Sequence, residues 1–132
     1  MKIKAVAGEI TRTEADAVVV NLFEGRKRPG GATAVVDKAL DGAVSRLIKQ
    51  GEIKGKAGEV AIIHTLGKLP ARIVAVAGLG KKEDFNLDRV RQVAGDFSRS
   101  LRRLNCRRVA TILHGAGTGS LATEDLAAAI TE

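Results

Sequence analysis

The stretch Ala17-Val18-Val19-Val20-Asn21-Leu22 constrains this chain more than any other. An amphipathic helix or a half-exposed strand would bring polar residues in at regular intervals. A continuous apolar run, β-branched at its centre, suits a strand buried on both faces. A sheet built around such a strand needs a covering layer on each side.

The rest of the chain supplies further strands and covers in alternation. Ile3 to Ala7 reads as a strand ended by Gly8, and Glu59 to Thr65, Arg72 to Ala77 and Val109 to Leu113 read as three more. Gly78-Leu79-Gly80 is expected to break the run before it. Gly67-Lys68-Leu69-Pro70 is turn chemistry, so the strands on either side are expected to form a hairpin and make the sheet mixed. Val36, Leu40, Val44, Leu47 and Ile48 recur at helical spacing and predict one helix from Thr33 to Gln50, with Gly51 at its end. Asn86 suits the N-cap of the clearest helix, whose apolar stripe runs through Leu87, Val90, Val93, Ala94, Phe97, Leu101 and Leu104. Thr123 caps a last helix with Glu124 and Asp125 in its first turn, where the dipole favours negative charge. No stop signal precedes Glu132, and the natural sequence is expected to continue. Together these elements predict an α/β fold: a three-layer α/β/α domain around a mixed, mostly parallel sheet.

At 132 residues the chain is the size of one domain, long enough to fold without metal or disulfide. No apolar run approaches the roughly 20 residues that span a bilayer, and Met1-Lys2-Ile3-Lys4 opens no signal-peptide pattern. A single cysteine, Cys106, excludes an internal disulfide, so a reducing cytoplasm is the expected compartment, with no membrane partner. The net charge of +7 admits acidic partners. Three Phe with no Tyr or Trp cannot build a base-stacking platform, which disfavours single-stranded nucleic acid.

Two segments have chemistry to weigh. In His114-Gly115-Ala116-Gly117-Thr118-Gly119-Ser120, a strand hands over to a helix, where backbone N–H groups can cradle phosphate. Gly115, Gly117, Thr118, Gly119 and Ser120 are the candidate phosphate loop. No Gly-Lys-Ser/Thr follows, and the dinucleotide fingerprint would want glycine at Ser120, so a plain surface connection competes with this reading. Arg99, Arg102, Arg103, Arg107 and Arg108 cluster at the end of the long helix. They form either a solvated face matched to the helix dipole or a candidate patch for the phosphates of double-stranded DNA. Arg26, Lys27 and Arg28 would extend such a patch if they lay nearby.

The remaining reactive residues point away from catalysis. His64 and His114 lack neighbours at metal-ligand spacing. Cys106 lacks a histidine–acid partner, although nearby arginines would lower its pKa. Glu83 and Asp84 sit in the loop before the long helix, and no carboxylate pair suggests an acid/base couple. No catalytic or metal-binding residue is assigned.

Several segments together resemble the amino-terminal domain of the leucyl (cytosol) aminopeptidases. They are Asp16-Ala17-Val18-Val19-Val20-Asn21-Leu22-Phe23-Glu24, then Val74 through Phe85 with Gly78-Leu79-Gly80-Lys81-Lys82 as the most specific piece, then Leu87-Asp88-Arg89-Val90-Arg91. The strand from Arg108 to Leu113 and Thr123-Glu124-Asp125-Leu126-Ala127 complete the match, which covers residues 1–132. The resemblance implies a catalytic domain further along the protein. That domain would hold two divalent metals, zinc or manganese, and an Asn-Thr-Asp-Ala-Glu-Gly-Arg motif that this chain lacks. The implied partners are that catalytic domain, the neighbouring subunits of a homo-hexamer and, in some bacterial members, DNA. The implied roles are assembly and access to the active site, with no cofactor in this chain.

The same resemblance implies a macro-domain-like fold, and with it an alternative as an ADP-ribose or nucleotide-binding module. Gly8-Glu9-Ile10-Thr11 is similar to the Gly-Asp-Ile-Thr of macro domains, and Gly115 to Gly119 lies where their glycine-rich loop does. Glu9 replaces the adenine-reading Asp, and Asn21-Leu22-Phe23 stands where Asn-Ala-Ala-Asn is usual.

Overall fold

A computed structural model describes residues 1–6 and 10–112. Among them are five strands, β1 (Lys2–Val6), β2 (Ala17–Phe23), β3 (Val60–His64), β4 (Ile73–Gly80) and β5 (Arg108–Ile112). Three α-helices accompany them: α1 (Gly31–Ala39), α2 (Ala43–Lys49) and α3 (Leu87–Arg103). The strands form one sheet in the order β1-β5-β2-β4-β3. Neighbours pair in parallel except β3 and β4, which form the expected antiparallel hairpin.

Strand alternation sorts the central side chains into two cores. Val18, Val20 and Leu22 of β2 join Val74 and Val76 of β4 on one face, under Val36 of α1, Leu40 at its C-cap and Val44 of α2. Ala17 and Val19 join Ile73, Ala75, Ala77 and Leu79 on the other, under Val93, Phe97 and Leu101 of α3. Every residue of β4 is buried, as a strand covered on both faces must be. The three-layer reading therefore holds. At the start of α3, Asn86 Oδ1 accepts the Arg89 N–H at 2.9 Å, the predicted cap.

Two expectations change. The single helix over residues 33–50 is two helices, because Asp41 (φ 55°) and Gly42 (φ 82°) both turn left-handed and end α1. Gly42 offers α2 no side-chain cap, and Asp37 on α1 supplies one by accepting the Ser45 N–H at 2.9 Å. Gly51 does end the second helix: its N–H reaches the Ile48 carbonyl, and the Glu52 N–H reaches that of Leu47.

Gly78-Leu79-Gly80 extends β4 instead of breaking it. These glycines serve a close crossing. The segment before β3 runs over the end of β4, where the Gly80 N–H bonds the Gly55 carbonyl at 2.9 Å. A Cβ on Gly78 would sit 2.0 Å from the Lys56 carbonyl oxygen, and one on Gly55 would sit 2.5 Å from that of Phe23. Glu59 holds the segment in place, its carboxylate accepting the N–H groups of Lys54 and Gly55. Arg89 Nη1 donates to the Leu79 carbonyl at 3.0 Å and ties α3 to the same point.

At the opposite end of the sheet, Asp16 joins the starts of β2 and β5. Its carboxylate accepts the backbone N–H groups of Arg107 at 2.7 Å and Arg108 at 2.9 Å. Those hydrogen bonds, with the charges of Arg72 and Arg108, hold its pKa below the ordinary value of 3.8.

Both anchors can be tested. Gly78→Ala is expected to destabilise the domain by about 2 kcal/mol or more, read by urea unfolding, because backbone must move to admit the methyl. Asp16→Asn is expected to cost about 1 kcal/mol at neutral pH, a figure kept small because the site is solvated. Since the folded pKa is depressed, this stabilisation is present above the unfolded-state value and is lost as pH falls through the folded one. The gap in melting temperature between the parent and Asp16→Asn should therefore be full at neutral pH and close below about pH 4. A gap that persists in acid would contradict the assignment.

Candidate functional site

Parallel β1, β5 and β2 end together at one edge of the sheet, the edge where α/β folds form ligand crevices. The exit of β2 is within the described residues. Pairing of β2 with β5 runs to Val19 opposite Thr111. Two residues on, Thr33 of α1 serves the backbone of Asn21, its Oγ1 donating to the Asn21 carbonyl at 2.7 Å and accepting the Asn21 N–H at 3.3 Å. Glu24 then closes against β4, its N–H meeting the Gly80 carbonyl at 2.9 Å. Phe23 packs edge-on to Phe85, with ring centroids 5.3 Å apart. Gly8 and Glu9 lie outside the described residues. So do His114 and the candidate phosphate loop of Gly115, Gly117, Thr118, Gly119 and Ser120.

The five arginines are divided by the sheet. Arg99, Arg102 and Arg103 lie exposed on α3, over one face. Arg99 Nη2 bonds Asp96 Oδ1 at 2.6 Å. Arg99 and Arg103 line a shallow hollow of about 250 Å³ with Ser100 and Gly58. Arg108 lies on β5, where Val109 points to the α3 side and Ala110 to the α1–α2 side. Alternation sends Arg108 the way of Ala110. There it lines a different hollow of about 290 Å³ with Lys2, Lys4 and Glu14. Arg107 is exposed between the two, its N–H held by Asp16. Lys27 and Arg28 line a third cleft, beside α1 and α2.

Other titratable groups have structural partners. Cys106 is 4% exposed, and burial pushes its thiol up although Arg72 stands close. The lowering expected from nearby arginines is therefore outweighed by desolvation. Arg72 Nη2 donates both to the Leu104 carbonyl at 2.8 Å and to Cys106 Sγ at 3.8 Å. His64 is exposed at the end of β3. Asp41 pairs with Lys68 at 2.6 Å across two turns, and this ion pair lowers the Asp41 pKa. Among the described residues, no group of three or more His, Cys, Asp and Glu could hold a metal ion.

Sequence reading missed Asp16, Asp37 and Glu59 as anchors. The first lies 91 residues from its partner, beyond any local pattern. A trace of the last was readable, since a carboxylate after Lys54-Gly55-Lys56-Ala57-Gly58 can reach back to the turn N–H groups.

Comparison with known proteins agrees with this architecture. A "Probable cytosol aminopeptidase" of Geobacter sulfurreducens is 33% identical over 128 residues, covering 96% of this chain and 26% of that protein. The chain thus spans about a quarter of the length of such a relative. Among solved structures, the macrodomain of Mycobacterium tuberculosis DarG superposes with a TM-score of 0.74 at 21% identity, covering 95% of this chain and 84% of that one. A tomato leucine aminopeptidase mutant superposes with a TM-score of 0.73 at 16% identity, over 98% of this chain and 26% of that one. At such identities these superpositions establish a macro-domain-like fold. Residues 19–132 match the description "Cytosol aminopeptidase family, N-terminal domain", and the chain belongs to that family as its amino-terminal domain.

Proposed function

We propose that this domain is a non-catalytic accessory part of a metal-dependent cytosolic leucyl aminopeptidase, serving assembly and access to the active site. The observation that carries the reading is the family match over residues 19–132 in a chain spanning 26% of a relative. A pair of zinc or manganese ions does not fit the described residues, whose well-placed carboxylates serve other ends. Asp16 and Glu59 hold backbone N–H groups, Asp37 caps a helix, and Asp41, Asp88 and Asp96 pair with cations. The metals, the peptide-hydrolysing groups and the contacts of a homo-hexamer are assigned to the longer protein.

Double-stranded DNA is proposed as a further partner of that protein. The net charge of +7 and the exposure of Arg99, Arg102 and Arg103 on one helix support it. The alternative, an ADP-ribose or nucleotide-binding module, draws support from the likeness to a macrodomain. Fold alone does not carry a ligand, and Phe23 packs against Phe85 at the exit of β2.

Leucine-p-nitroanilide with added manganese or zinc tests the main reading. The longer protein is expected to turn it over and residues 1–132 alone to give none; turnover by residues 1–132 defeats the reading. For DNA, Arg102→Ala with Arg103→Ala should weaken duplex binding, while Arg108→Ala, on the other face, should act independently. Affinity should fall steeply with salt, and salt-independent binding would count against the patch.

A further inference from the structure

Three cations line one cleft beside α1 and α2. Lys27 and Arg28, in the loop entering α1, and Lys49, at the end of α2, line a cleft of about 650 Å³. Small-molecule sites run from roughly 300 to 1,000 Å³. Ala34 of α1 and Ile48 of α2 add apolar surface to the same lining. Asp37 also lines the cleft, but it is buried and its carboxylate accepts the N–H and hydroxyl of Ser45.

This arrangement is not explained by stability. Lys27, Arg28 and Lys49 are exposed, and no ion pair among the described residues engages them. Lys27 and Arg28 lie just before the N-cap Gly30 of α1, separated from it by Pro29, and the first turn of α1 has no acidic residue. Cations are disfavoured at that end of a helix. Three cations against one carboxylate leave a formal surplus of two positive charges on the lining. A phosphate monoester carries about −1.5 to −2 at neutral pH and accepts the forked donors of an arginine. A nucleic-acid backbone instead spreads single charges along its length and favours an extended track.

We propose that this cleft binds a phosphate monoester of a small organic molecule. The phosphoryl group lies among Lys27, Arg28 and Lys49, and the organic part lies against Ala34 and Ile48. The site lies apart from the arginines of α3 and is independent of the aminopeptidase reading.

Calorimetric titration of the 132-residue chain with phenyl phosphate and with inorganic phosphate tests it. One phenyl phosphate is expected to bind per chain, about tenfold more tightly than inorganic phosphate, because only the ester uses the apolar wall. Arg28→Gln with Lys49→Gln should weaken phenyl phosphate by about tenfold or more, whereas Arg102→Ala with Arg103→Ala should leave it unchanged. Amide NMR signals of Ala34 and Ile48 should shift on addition of phenyl phosphate, a readout that does not depend on any variant folding. Four results would overturn the proposal: no heat up to about 10 mM, equal affinity for the two probes, full binding by the Arg28/Lys49 double variant, or displacement of phenyl phosphate by short duplex DNA.

Discussion

The parallel ladder between β2 and β4 is the constraint from which the rest of the domain follows. Its registers run from Ala17 opposite Ile73 to Leu22 opposite Gly78, with nearly every side chain on both strands buried. A ladder buried on both faces excludes water from either side, so its backbone groups must pair within the sheet. It also divides the apolar residues in two by alternation, and each half has to be covered separately. The stripe of α3 meets one half, and the broken pair α1–α2 meets the other.

A ladder this deeply covered leaves little room at its ends, and glycine chemistry and carboxylates settle matters there. The crossing of residues 55–56 over Gly78 brings backbone within van der Waals reach of backbone, which no side chain allows. Charge then serves geometry. Glu59 fastens the crossing, Asp37 makes up for a helix start that glycine leaves uncapped, and Asp16 fastens β5 to β2. Each accepts backbone N–H groups that would otherwise rely on water.

The same geometry decides which charges can act together. Arginines that crowd one short stretch of sequence are parted by the sheet, because a helix end and the following strand point their side chains to different layers. Lys27 and Arg28, remote in sequence from Lys49, share the lining of one cleft with it instead, the chain having turned at the left-handed Asp41-Gly42 pair. A shared fold with macrodomains therefore says little about ligands here, since the chemistry depends on which side chains the loops deliver.

Much of the architecture was readable from local pattern alone. A valine run, a 3.6-residue apolar stripe and turn residues are short-range signals, and they marked β2, α3 with its Asn86 cap, the β3–β4 hairpin and the layered class of the fold. The family was legible for the same reason, since Gly78-Leu79-Gly80-Lys81-Lys82 and its neighbours are contiguous. Pattern misjudged places where local and tertiary demands differ. An unbroken helical period hid the turn at Asp41-Gly42, and glycines that read as a strand end proved to be strand kept bare for a crossing chain. The function of Asp16 and the grouping of the cations could not be read from sequence, because both depend on residues that meet only after folding. Sequence by itself determined which segments must be buried, through the free energy of removing apolar surface from water. Tertiary structure decided which charges face one another, because that is set by the layer and direction each side chain receives when the sheet is covered.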